Sequence, residues 1–95
     1  MAKRFVDTEL WKKEWFQDLK PVNKLLVKYI FENCDCAGVW EVNFKLASFI
    51  IGESVSMDDI KYINKNHKEI FEILDNKKIF VLDFIKFQYG TLSEN

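Results

Sequence analysis

Apolar residues recur along this chain first at helical spacing and later in alternation, and the change of period divides it. Thr8 through Leu19 reads as a helix with Asp7 or Thr8 placed to cap it. Within it Trp11 and Trp15 share a face at i, i+4 spacing. Pro21 suits the first turn of a second helix, where Val22, Leu25, Leu26, Tyr29 and Ile30 mark an apolar stripe. Val27 and Phe31 widen that stripe, which predicts a helix central to the core, with Asn23, Lys24, Lys28 and Glu32 on the opposite side. Asn33 to Gly38 breaks the pattern as a turn. Val39-Trp40-Glu41-Val42 then predicts a short strand.

Asn43 is positioned to cap a helix running from Phe44 to Ile51, with Gly52 as its stop signal. Ser56 and Asp59 have capping-box spacing and open a helix from Met57 to about Lys65. Ile60 and Ile63 are expected to face inward there, leaving Asp59, Lys61, Tyr62 and Lys65 to solvent. Further on, Phe71-Glu72-Ile73-Leu74 and Ile79-Phe80-Val81-Leu82 flank the polar stretch Asp75-Asn76-Lys77-Lys78. Asn76 tolerates a left-handed backbone, so a β-hairpin is expected. A helix from His67 to Leu74 competes, because Ile70, Phe71 and Leu74 also fit a helical pattern. Phe84, Ile85, Phe87 and Tyr89 continue the apolar character towards a polar tail.

The expected order is helix, helix, strand, helix, helix, strand, strand. That is a mostly α fold with a small β-sheet, on the plan of a winged helix-turn-helix. In that plan the second helix of the pair faces nucleic acid and the hairpin forms the wing. No internal repeat or linker interrupts the chain, and its 95 residues suit one domain spanning 1–95. Nine Phe, three Trp and three Tyr supply bulk that a domain this small needs for a sufficient core.

Fourteen basic and fifteen acidic side chains leave a net charge of −1. Strong nonspecific nucleic-acid binders carry a basic excess, so any DNA contact must rest on local charge. No apolar run is long enough to span a membrane and Met-Ala-Lys-Arg leads into no signal segment, so a cytoplasmic protein without a membrane partner is expected. Cys34 and Cys36 stand too close for an unstrained mutual disulfide and, with His67 as the sole histidine, do not complete a zinc site. They read as reduced structural thiols, and no metal or other cofactor is expected. Catalysis is not expected either. There is no Gly-rich phosphate loop and no nucleophile with a base nearby, and Asp58 and Asp59 point to different sides of a helix. A small-molecule substrate is not expected.

The stretches Arg4 to Trp11, Trp15-Phe16, Leu25 to Ile30 and Asn33 to Val42, with Asp83 to Gly90 and Leu92 to Asn95, resemble phage and prophage replication proteins. The resemblance is to the N-terminal winged-helix domain of replisome organisers, related to DnaD-like primosomal proteins. It covers most of the chain, with residues 53–78 matching in outline. It implies a role in DNA replication or primosome assembly in a bacterial host cell, through DNA contact, replication-protein partners or self-association. Members of that family usually continue beyond this segment, so the chain is expected to be the N-terminal part of a longer protein or a shortened relative.

Two constellations are candidates for function. Lys61, Lys65, His67 and Lys68, with Lys77 and Lys78 at the hairpin, form the DNA-facing set, and Tyr62 and Asn64 are placed to reach bases or sugars. Between residues 60 and 86 six lysines stand against four acids. The competing reading is that these lysines solvate an exposed face and that His67 is a surface or capping residue. Trp11, Trp15 and Phe16 form an aromatic set suited to a partner or to a second protomer in a two-fold pair, the competing reading being internal core. A self-association domain without DNA affinity, and a winged-helix transcription regulator reading a palindromic operator, remain alternatives to the replication module.

Overall fold

A computed structural model describes residues 9–75 and 77–82. A 3-10 turn, Leu10–Lys12, precedes four α-helices and three strands: α1 Glu14–Gln17, α2 Pro21–Asn33, β1 Val39–Glu41, α3 Phe44–Ile51, α4 Met57–Asn66, β2 Phe71–Asp75 and β3 Lys78–Val81. The strands form one antiparallel sheet in the order β1-β3-β2. The fold is therefore small and α+β. The stretch after His67 pairs as a hairpin and is not helical. Its turn is tighter than the polar tetrad implied, because Asp75 and Lys78 already pair across it and Asp75 Oδ1 accepts the Lys77 N–H at 2.7 Å. Asn76 at its centre, the expected cap at Asp7 or Thr8, and the apolar stretch beyond Asp83 lie outside the described residues.

One cluster joins every element. Phe16, Leu19, Leu26, Val27, Ile30, Trp40, Ala47, Val55, Ile60, Ile63, Phe71, Ile79 and Val81 are all buried. Two features of the leading half differ from the periodicity. The first helix is not continuous: Lys13 is extended (φ −76°, ψ 128°), so the chain turns between Lys12 and Glu14. The break lets Phe16 and Leu19 enter the core while the rings of Trp11 and Trp15 meet Phe16 edge-on, at 5.0 and 5.7 Å. In α2 the buried stripe is Asn23, Leu26, Val27 and Ile30, and Leu25 is half exposed. Asn23 takes the inward place because it has a partner there: its Nδ2 donates to Asp59 Oδ1 at 3.0 Å. A buried amide is tolerated when it is bonded.

The helix pair α3–α4 is fixed at each end by local chemistry. Asn43 Oδ1 accepts the Leu46 N–H at 3.0 Å, and Gly52 closes α3 in the left-handed region at φ 95°. The Ser48 hydroxyl accepts from Val55 N–H at 2.9 Å and donates to Val55 C=O at 3.3 Å, pinning the connection between the two helices. Ser56 and Asp59 then complete the capping box of α4.

Candidate nucleic-acid interface

Helix α4 carries the centre of the basic set, and its burial decides which side chains are available. Ile60 and Ile63 are fully buried, so the opposite face presents Asp58, Lys61, Tyr62 and Lys65. Asp59, expected at the surface, is half-buried. One of its oxygens accepts from Asn23, and the other accepts the Ser56 N–H at 2.9 Å. Its role is to seat the start of α4 on α2.

Asn64 departs furthest from its expected role. Its Oδ1 accepts the backbone N–H groups of Ile70 and Phe71, both at 3.1 Å, and its Nδ2 donates to Phe71 C=O at 2.7 Å. With the amide committed at both ends, this side chain is not offered to a base. It latches the last turn of α4 to the first residues of the hairpin instead. His67 stands at the C-terminal cap of α4, its N–H bonded to Ile63 C=O.

Tyr62 is the focus of the exposed face. It is 42% exposed, its ring lies 5.5 Å from that of His67, and the Lys20 ammonium sits 5.4 Å above it. Lys20, which precedes α2, is thereby brought to the exposed side of α4, the helix that carries Lys61 and Lys65. Its distance in sequence hid it, since no local pattern connects residue 20 to residue 62. An exposed cation–π contact of this kind contributes about 0.5–1 kcal/mol. It leaves the ammonium close to any anion that approaches the ring.

Lys61, Lys65, Lys68, Lys77 and Lys78 are all exposed, and none has an ion pair with a carboxylate among the described residues. They are not equivalent. Lys78 is in register with Glu41 on one side and Asp75 on the other. Directly opposed residues put their side chains on one face of a sheet, so two carboxylates offset its charge. Lys77 stands where the hairpin is tied to the end of β1, its C=O accepting the Val42 N–H at 2.8 Å. On α4 the acids Asp58 and Asp59 occupy the first turn and Lys65 the last. That distribution complements the helix dipole and concentrates positive charge towards the C-terminal half.

The aromatic set at the beginning of the chain separates into three environments. Phe16 is fully buried and belongs to the core, so it is not available to a partner. Trp15 is half-buried, and its indole N–H is enclosed with no hydrogen-bond partner among the described residues. Trp11 is 54% exposed, with the Lys28 ammonium 6.0 Å from its ring. Cys34 is buried and Cys36 exposed, and neither forms a disulfide. Among the described residues no helix is long and apolar enough to cross a membrane.

These elements define a small α+β fold in which α4 exposes Lys61, Tyr62 and Lys65. Compared with known proteins, the chain matches no family model, no curated protein and no solved structure.

Proposed function

We propose that this chain is a winged helix-turn-helix module that binds DNA through the outer face of α4. Two things support the fold reading: the order α2-β1-α3-α4-β2-β3, and a sheet in which the last strand lies between the other two. The hairpin β2–β3 is then the wing and α4 the helix presented to nucleic acid. The observation that carries the DNA reading is the exposed ring of Tyr62 with the Lys20 ammonium over it, on a helix whose exposed residues include Lys61 and Lys65. Ammonium groups pair phosphates without reading sequence, while an aromatic ring and His67 can meet a sugar or an unstacked base.

The acidic first turn of α4 sets the orientation. Asp58 repels the phosphate backbone, so contact is made by the C-terminal half of the helix, with Lys68 and Lys77 as secondary contributors. Replication or primosome assembly in a phage or mobile element is the context we infer, resting on the sequence resemblance of Arg4 to Trp11, Trp15-Phe16, Leu25 to Ile30, Asn33 to Val42, Asp83 to Gly90 and Leu92 to Asn95.

With three or four phosphates neutralised, log affinity for duplex DNA is expected to fall with log salt at a slope of about −3. Fluorescence anisotropy of a labelled duplex across stepped salt concentrations measures it directly. A slope near zero, or no binding at low salt, would refute the DNA reading. Strong preference for one palindromic sequence would instead make the protein a transcription regulator.

A further inference from the structure

Each outer edge of the sheet is closed where its strand begins, and by the same kind of residue. In the β2–β3 pairing the Leu82 N–H reaches Ile70 C=O and Phe71 faces Val81, so Phe71 turns its own N–H and C=O away from β3. Asn64 takes both, its Oδ1 accepting the N–H at 3.1 Å and its Nδ2 donating to the C=O at 2.7 Å. On the other edge the Val81 N–H reaches Gly38 C=O and the Val42 N–H reaches Lys77 C=O, which turns Val39 outward from β3. Asp35 takes both of its groups. Its Oδ1 accepts the Val39 N–H at 2.9 Å, and its backbone N–H donates to Val39 C=O at 2.9 Å. By the same alternation the next outward residues are Ile73 on β2 and Glu41 on β1, and neither has an outward hydrogen bond among the described residues.

We infer that Asn64 and Asp35 are edge guards, which hold the sheet at three strands and refuse an extended segment of another chain on either side. An uncovered edge is a template of N–H and C=O groups, and an incoming strand gains its hold by bonding several outward residues in succession. With Phe71 and Val39 already bonded as a neighbouring strand would bond them, little of that template is left. The register breaks between Ile73 and Asp75, and Glu41 is the last residue of β1, so neither edge keeps two regular outward residues in a row. Both guards act on the sheet alone, so the inference does not depend on DNA binding.

Two readouts on the full chain test it. In the wild type, amide hydrogen exchange at Phe71 and Val39 is expected to be at least about tenfold slower than at Ile73 and Glu41. Equal rates overturn the inference. The second readout is thioflavin T fluorescence at about 100 µM protein, each variant held at the same interval below its own melting temperature. Asn64→Ala uncovers Phe71 and should assemble into β-rich aggregates where the wild type stays clear. Asn64→Asp still accepts both N–H groups and should assemble at least about tenfold more slowly than Asn64→Ala. Leu26→Ala weakens the buried core and leaves both guards in place, so it should stay clear. Asp35→Ala repeats the test on β1 at an exposed residue, which keeps it informative if Asn64→Ala does not fold, and Asp35→Asn, which retains the acceptor oxygen, should stay clear. Clear solutions of Asn64→Ala and Asp35→Ala overturn the inference. Aggregation of the wild type, or of Leu26→Ala as fast as Asn64→Ala, overturns it equally.

Discussion

Replacing Asn64 by alanine is expected to cost the fold about 2–3 kcal/mol, through the loss of three hydrogen bonds at once. The side chain serves two backbone N–H groups and one C=O at Ile70 and Phe71. Both residues are buried, at 7% and 1% exposure, so water reaches the abandoned groups poorly. For a domain of this size the loss corresponds to a fall in melting temperature of about 10–20 °C. Asn64→Asp should fall between the wild type and Asn64→Ala. A carboxylate still accepts from both N–H groups, but it cannot donate to Phe71 C=O and repels it. Thermal unfolding followed by circular dichroism checks the series. A melting temperature for Asn64→Ala within a few degrees of wild type would mean that the latch contributes little.

The second large effect concerns binding. Lys61→Glu combined with Lys65→Glu is expected to weaken duplex DNA binding about 100-fold at low salt and to flatten the salt slope by nearly two units. Both lysines are exposed, so the fold should tolerate the change with a loss below about 1 kcal/mol, mainly from placing an acid in the last turn of α4. The two readouts must move together. A weaker affinity with an unchanged slope would indicate a loss that is not electrostatic, and so not lost phosphate contacts.

Where capping residues bracket an element, the sequence determines it nearly to the residue. Asn43 and Gly52 bound α3, and the Ser56–Asp59 box opens α4, because each makes its contact within a turn of its own helix. The hairpin was legible for a related reason, as its alternation meets a polar turn. The break at Lys13 was not, since neither Gly nor Pro marks it, and the core's demand for Phe16 and Leu19 sets it. The exchange of Asn23 for Leu25 on the buried side of α2 depends on Asp59, far along the chain. Distance in sequence also concealed Lys20 beside Tyr62. Asn64 misled because an amide on a helix near lysines suits a base contact and a backbone latch equally well. Its surroundings in three dimensions decide between them. Of the candidate site, then, the basic stretch was readable and its internal ranking was not.

The face around Tyr62 carries the functional account, and a nuclear magnetic resonance titration of labelled protein with a short DNA duplex interrogates it residue by residue. We expect chemical-shift changes concentrated at Lys20, Lys61, Tyr62, Lys65 and Lys68, with weaker ones at Lys77. Saturating DNA that leaves those signals unmoved, or that perturbs only Leu46, Phe49 and Ile50 on α3, would contradict it.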